Sequence, residues 1–182
     1  MNNAMYYIAV LAPETINEQV LQWKHFMRDH FDCVVALKSP AHITLASPFW
    51  MNPDLQPVLQ NAIGQFSNSR TSFQVELQNF DCFKPRVIFV HVVASDPLNS
   101  LQTDFEKHLL QYDLLPIKIS TKPFHPHITI ANRDLRKKDF IDAWEHFKNK
   151  TYHASFLAHG ITLMKHNGVS WNSIYTANFP FT

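Results

Sequence analysis

A four-residue motif occurs twice in this chain, first as His42-Ile43-Thr44-Leu45 and again as His127-Ile128-Thr129-Ile130. A proline shortly precedes each copy. The chain has 11 His in 182 residues, and from its composition roughly 0.13 copies of His-apolar-Thr-apolar are expected by chance. The repetition therefore suggests two halves of similar topology, each presenting the same short strand.

Hydrophobic periodicity supports this duplication. The first half is predicted to contain, in order, a strand, a helix, the first motif strand, a second helix and a strand, at 6–11, 14–31, 42–47, 55–66 and 73–77. The same order is predicted in the second half, at 86–93, 98–112, 127–131, 135–147 and 152–158.

The sequence also predicts a helix cap, a linker and a hairpin turn. Asp134 is a plausible N-cap for the second helix of the second half, and the linker between the halves is placed near Asp81–Pro85. A closing hairpin is expected to pair 161–166 with 169–176 across the two-residue turn Asn167-Gly168. The chain is thus expected to be a single domain with pseudo-repeat halves at about 1–82 and 86–182.

Composition excludes several classes of protein. The 16 basic and 15 acidic residues give a net charge of +1, which argues against a protein that coats nucleic acid. Only three glycines are present, so phosphate-binding glycine loops are excluded and side chains would have to hold a phosphate. The two cysteines form no CxxC pair and are expected to be free thiols. With no signal peptide or membrane-span pattern, the protein is expected to be cytoplasmic.

The motif has two chemically different faces. Alternate residues of a strand point the same way, so His42 and Thr44 share one face, and so do His127 and Thr129. If the halves pack about an approximate two-fold axis, two imidazoles and two hydroxyls meet in one cleft. One imidazole can act as base and the other as acid in phosphodiester cleavage, while hydroxyls bind the phosphate oxygens.

The motif also has a structural and a metal-binding interpretation. A single His on a strand is more often structural than catalytic, but duplication in matched positions reverses that expectation. A metal site using His125 and His127 is conceivable, yet the sequence offers no cysteine ligands, no HExxH and no acidic residue nearby. No metal and no cofactor are therefore expected.

The chain resembles the 2H phosphoesterase superfamily, in the 2'-5' RNA ligase-like group of RNA 2',3'-cyclic phosphodiesterases. The resemblance rests on the paired HxTx motifs, on Pro123-Phe124-His125-Pro126 and on the segment 85–90, and it covers most of the chain. It implies a bilobal α+β fold in which antiparallel sheets line a central cleft. By motif position it implies His42 as proton donor, His127 as proton acceptor, and Thr44 and Thr129 as phosphate ligands.

The segment after the first motif, Ala46-Ser47-Pro48-Phe49-Trp50, departs from the group's pattern, which leaves the substrate open. Further side chains are considered for substrate binding. Arg133, Arg86 and Lys38 are near the motifs and can reach a phosphate, while Phe124 and Trp171 can stack a base.

The leading function is hydrolysis of a 2',3'-cyclic phosphate at an RNA end or on a nucleotide, by a monomer with no extended nucleic-acid surface. The alternatives are reversible 2'-5' RNA ligation, hydrolysis of another cyclic or 2'-5' phosphodiester, and a non-catalytic module that binds a phosphorylated end.

Overall fold

A computed structural model describes residues 3–118 and 122–180 of the chain. The described residues form strands and α-helices in the order β1 (Ala4–Leu11), α1 (Glu14–Phe31), β2 (His42–Met51), α2 (Gln56–Ser67), β3 (Phe73–Phe83), β4 (Val87–Val92), α3 (Asp96–Leu109), β5 (His127–Ala131), α4 (Phe140–Phe147), β6 (His153–Ala158), β7 (Gly160–His166) and β8 (Trp171–Asn178).

The strands form two antiparallel four-stranded sheets. The first sheet has the order β2-β1-β7-β8 and the second has the order β5-β4-β3-β6. Each motif strand therefore lies at the edge of its sheet, next to the strand that opens its half of the sequence. The expected α+β fold with two antiparallel sheets is confirmed.

Helices α1 and α3 each follow a strand of one sheet and pack against the other sheet. Helix α1 follows the first strand of the first sheet but contacts β5 of the second, whereas α3 follows β4 and contacts β2 of the first. Val20 and Met27 of the predicted apolar stripe of α1 are buried, and Trp23 and Phe31 of the same stripe are half-buried. Each motif strand is thus supported by a helix from the other half, and β2 and β5 contact each other.

The predicted linker near Asp81–Pro85 does not coincide with a division between the two sheets. Strand β3 pairs with β4 through a tight hairpin turn, so both belong to the second sheet. Strands β7 and β8 then return to the first sheet, where β7 pairs with β1. The two sheets are therefore formed by 4–51 together with 160–178, and by 73–158.

Two local predictions also differ from the structure. Asp134 does not cap α4, which begins only at Phe140, because its carboxylate accepts hydrogen bonds of 2.7 Å from the backbone amides of both Val34 and Val35. The closing hairpin forms as predicted, but its turn holds four residues, since His166 pairs with Trp171 and Asn167 bonds to Ser170. Gly168 supplies a φ of 99° in that turn.

Within the two described stretches, no helix combines the length and the hydropathy needed to cross a membrane. Cys33 and Cys82 are both free thiols. Burial raises the pKa of the Cys33 thiol to about 12, so this thiol stays protonated and is a poor nucleophile.

Candidate active site

The two motif strands show the alternation that their sequence predicts. The aliphatic side chains of Ile43, Leu45, Ile128 and Ile130 are buried in the main hydrophobic core. The histidines and threonines of both motifs are half-buried on the opposite face. Because β2 and β5 are edge strands that contact each other, this polar face of both motifs lies at the junction of the two sheets.

Both motif histidines are oriented in the same way. Nδ1 of His42 donates a 2.7 Å hydrogen bond to the carbonyl of Pro40, and Nδ1 of His127 donates one of the same length to the carbonyl of His125. These bonds fix the tautomer of each neutral ring and leave Nε2 without a proton. Each ring therefore presents one nitrogen that can accept a proton or, once charged, donate it.

The environment lowers the proton affinity of both rings. Burial lowers the pKa of His42 to about 4, while the Pro40 carbonyl opposes this shift and the charges of Lys24 and His127 add to it. Burial also lowers the pKa of His127 below its usual range, with the His125 carbonyl again opposing the shift. The charge of His127 thus acts on the His42 ring, whereas the charge that lowers the pKa of His127 is that of His125.

A network of polar side chains lies next to His42 and contacts its ring. The Ser39 hydroxyl lies 3.3 Å from Nδ1 of His42 and makes a short hydrogen bond with the Tyr7 hydroxyl. The Tyr7 ring packs against His42 with centroids 4.8 Å apart. Lys24 is buried and donates a 2.8 Å hydrogen bond to the carbonyl of Ser39. This network restricts how the His42 ring can turn.

His127 is positioned by aromatic side chains. The Phe83 ring meets it edge-on at 5.2 Å between centroids, and the Phe89 ring lies 4.9 Å away. Phe89 faces Thr129 across the β4–β5 pair and is fully buried. Apolar walls on one side of His127 explain why burial dominates the shift of its pKa.

A cavity of about 670 Å³ brings residues of both motifs together. Thr44 of the first motif and His127 of the second line it, and so does Phe124, a predicted base-stacking residue. A volume of this size falls within the range of cavities that bind nucleotide-sized ligands.

Several cavity residues were missed from the sequence: Ser47, Phe83, Gln102, Glu106, Lys118 and Lys122. Gln102 is only 7% exposed and lies in the apolar stripe of α3, between Leu98 and Phe105. A polar residue in a buried stripe is the one signal in the sequence that points to this wall.

The other predicted residues lie outside the cavity lining. His42 and Thr129 are on the motif face beside it, as their strand positions require. Arg86 and Arg133 are exposed and contact each other through a 3.4 Å hydrogen bond from Arg86 to the Arg133 carbonyl. Lys38 is exposed at the end of a short 3-10 helix.

Trp171 also lies outside the lining and packs edge-on against Tyr7 at 4.6 Å. These placements do not favour Arg86, Arg133, Lys38 or Trp171 as direct ligands of a molecule in the cavity.

One group of side chains has the composition of a metal site. Nitrogen or oxygen atoms of Asp81, His91 and His125 all lie within 4.8 Å of one another. The expectation that His125 has no acidic neighbour is wrong, because β3 and β4 bring Asp81 next to it from a distant part of the sequence.

Comparison with known proteins agrees with this architecture. The family model of the 2'-5' RNA ligase superfamily matches residues 12–170. The structure is similar to Escherichia coli LigT complexed with 3'-AMP, with a TM-score of 0.73, 18% sequence identity and coverage of 98% of this chain and 99% of that one. LigT complexed with NADP+ gives a TM-score of 0.71 at 19% identity, with both chains fully covered.

A third structure, described as a phosphoesterase, gives a TM-score of 0.69 at 19% identity, again covering 100% of both chains. Among curated proteins, no sequence matches this chain significantly. At these identities the structural matches establish the fold, while the family model spans most of the chain. This chain belongs to the 2'-5' RNA ligase superfamily of 2H phosphoesterases.

Proposed function

We propose that this protein hydrolyses 2',3'-cyclic phosphates, at RNA ends or on nucleotides, by acid–base catalysis between His42 and His127. The observation that carries the proposal is the pairing of the motifs: Thr44 and His127 line one cavity, and both histidines present Nε2 after the same backbone hydrogen bond. The duplicated motif supplies the base, the acid and the phosphate ligands that this reaction requires.

In the proposed reaction, water attacks the phosphorus of the cyclic phosphate. Nε2 of His127 accepts a proton from this water as the new phosphorus–oxygen bond forms. Protonated His42 gives its Nε2 proton to the ribose oxygen that leaves as the old bond breaks. The product is a ribonucleotide phosphomonoester, and the proton balance is restored by exchange with solvent. These roles follow the family resemblance, and they exchange when the reaction runs backwards.

The threonines are proposed to hold the phosphate. A hydroxyl from each motif can donate a hydrogen bond to a non-bridging oxygen, where negative charge increases in the transition state. Thr44 lines the cavity, and Thr129 occupies the matching position on β5. Lys118 and Lys122 at the cavity wall add positive charge for an anionic substrate.

The cavity also offers contacts for a nucleoside. Phe83 and Phe124 provide aromatic surface, and the side chains of Gln102 and Glu106 provide hydrogen-bonding groups. The relative LigT has been crystallised with 3'-AMP, a ribonucleotide with a 3'-phosphate. A 3'-phosphate is one of the two products that opening a 2',3'-cyclic phosphate can give.

The superfamily name favours a second activity, joining of RNA through a 2'-5' bond. In that reaction a 5'-hydroxyl takes the place of water, and the same two histidines move the protons. The reaction therefore needs no further residue, but it needs room for a second RNA end beside the cavity.

The decisive experiment is a product assay in EDTA with 2',3'-cyclic nucleotides and short RNAs that end in a cyclic phosphate. We expect a phosphomonoester product from wild-type protein and formation of this product about 10²–10⁴-fold more slowly by the His42→Ala variant. Chromatography against 2'- and 3'-phosphate standards identifies which ribose oxygen leaves. If wild-type protein binds these substrates but converts none, either in EDTA or with added Zn²⁺, the protein is a binding module and the catalytic proposal is wrong.

A further inference from the structure

Three side chains that the proposed reaction does not use lie together on the second sheet. Asp81 on β3 pairs directly with Phe89 on β4, and His91 is two residues further along the same strand. His91 in turn pairs with His127 on β5. Paired residues and residues two apart share a face, so Asp81 and His91 lie on the face that carries His127.

His125 completes the group from the segment that leads into β5. Its ring centroid is 6.1 Å from that of His91 and 6.4 Å from that of His127. A bulge in β3, between Leu77 and Phe80, shifts the register just before Asp81. Bulges often redirect side chains near functional sites, and this one lies beside the residue that supplies the carboxylate.

The separation of these groups suits a small cation. Ligand atoms about 2.0–2.2 Å from a tetrahedral zinc ion lie about 3.3 Å apart. The three candidate atoms lie within 4.8 Å of one another, so modest side-chain rotations bring them to that distance. Asp81 and His125 are exposed and have room for such rotations.

His91 provides an independent observation. Its Nδ1 atom is buried and has no hydrogen-bond partner among the residues that the structure describes. A buried nitrogen without a partner is costly, and an ion is one of the standard explanations for such an atom. Asp81 accepts a hydrogen bond from the Cys82 amide with one carboxylate oxygen, and its other oxygen remains to bind an ion.

We infer that Asp81, His91 and His125 form a binding site for one transition-metal cation of the zinc class. Two imidazoles and one carboxylate suit Zn²⁺ and similar ions, whereas Mg²⁺ and Ca²⁺ prefer oxygen ligands alone. Three protein ligands leave at least one coordination position for water or another ligand. Because His125 lines the cavity, an ion held here lies at the cavity wall.

This site is separate from the proposed acid–base pair. Neither His42 nor His127 belongs to the group. The connection between them is structural, since the backbone carbonyl of His125 accepts the hydrogen bond from Nδ1 of His127.

The test measures metal binding directly. Protein stripped with EDTA and dialysed is titrated with Zn²⁺ by calorimetry, and with Co²⁺ by visible absorbance to report the coordination geometry. We expect one Zn²⁺ per chain and a Co²⁺ spectrum typical of four or five ligands. Asp81→Asn and His91→Gln should each weaken Zn²⁺ binding by more than about 100-fold, because losing even an outer-shell partner costs 10–100-fold.

The matched control is His153→Gln, which removes an exposed histidine on β6 outside the group. It should leave the tight Zn²⁺ site unchanged. Asp81 is exposed, so Asp81→Asn gives a folded variant even if His91→Gln does not. Absence of stoichiometric binding to wild-type protein, or tight binding that survives in folded Asp81→Asn, overturns the inference.

Binding is measured without turnover, so its result does not depend on the proposed function. Activity in EDTA then separates the two proposals. If EDTA and Asp81→Asn both abolish hydrolysis and Zn²⁺ restores it to wild-type protein, the metal site stands and the metal-free reaction is overturned.

Discussion

His42 and His127 are held by equivalent hydrogen bonds, each 2.7 Å long, from Nδ1 to the carbonyl two residues earlier in the chain. The two carbonyls belong to Pro40 and His125, which occupy equivalent positions before the motifs. The duplication therefore preserves the tautomer and the orientation of the ring as well as the residue type. What differs is the surroundings: a polar network supports His42, and aromatic rings surround His127.

The first prediction concerns the histidines. His42→Ala and His127→Ala should each lower kcat/KM by about 10²–10⁴-fold, the usual cost of losing a general acid or base. The double variant should lose much less than the product of the two losses, because the rings act as a unit. Steady-state kinetics and circular dichroism measure activity and folding, with His153→Ala as control. Near-normal turnover by folded His127→Ala would contradict the catalytic role.

The second prediction concerns the threonines. Thr44→Ala and Thr129→Ala should each cost about 1.5–3 kcal/mol of transition-state stabilisation, the range for a hydrogen bond to a charged group. This corresponds to roughly 10- to 150-fold in kcat/KM. Thr→Ser at either position keeps the hydroxyl and should recover most of the rate. Equal losses for the Ala and Ser variants would show that the methyl group matters and the phosphate contact does not.

The third prediction concerns the pH dependence of activity. The reaction needs one neutral and one charged imidazole, so kcat/KM should follow a bell whose limbs belong to the coupled pair. Because burial lowers the pKa of both rings, the optimum of the free enzyme should lie below pH 6.5. Above this optimum the rate falls, since the donor ring loses its proton. Rates measured from pH 4 to 9 at constant ionic strength would reveal a plateau at alkaline pH if the mechanism were wrong.

The fourth prediction links His42 to stability. A histidine whose pKa is lowered from about 6.5 to about 4 on folding contributes stability above pH 6.5, and this contribution is lost as the pH falls towards 4. At pH 4.5 the loss is on the order of 2–3 kcal/mol. Urea unfolding at pH 7.5 and 4.5 should show a smaller decrease in the unfolding free energy for His42→Asn than for wild type. An equal decrease in both proteins would exclude this contribution.

The fifth prediction concerns charge at the cavity wall. Lys118→Met should raise KM for a cyclic nucleotide about 3- to 10-fold and weaken its dependence on salt, with little change in kcat. Glu106→Gln should act in the opposite direction, because it removes a negative charge that repels the phosphate. A change in kcat without a change in KM would place these residues in the chemical step and contradict their role in binding.

Local patterns predicted the elements that carry the motifs. The bounds of α1 and β5 agree with the hydrophobic periodicity of the sequence. The buried stripe of α1 and the two buried aliphatic residues of β5 can be recognised from residues close together in the chain. The delayed start of α4 could not be predicted, because Asp134 bonds to amides about a hundred residues away in sequence. The hairpin pairing of β3 with β4 was not predicted, because the duplicated order of elements places a linker between the halves near Asp81–Pro85.

The residues of the candidate site also fall into those that the sequence predicted and those that it did not. The duplicated motif identified His42, Thr44, His127 and Thr129, because a strand fixes which residues share a face. Gln102 and Glu106 were missed, since periodicity does not show which part of α3 borders a cavity. Asp81 and His91 were missed because only the sheet register brings them to His125.

The return of β7 and β8 to the first sheet has a consequence for synthesis on the ribosome. The second sheet, with His127, is made entirely of residues 73–158, so it can form as soon as that segment has emerged. The first sheet, with His42, cannot be completed until β7 has been synthesised. Strand β7 pairs with β1, which lies about 150 residues earlier in the chain. During translation β1 and β2 are thus left without their third strand, and the open edge of β1 stays exposed until β7 has emerged.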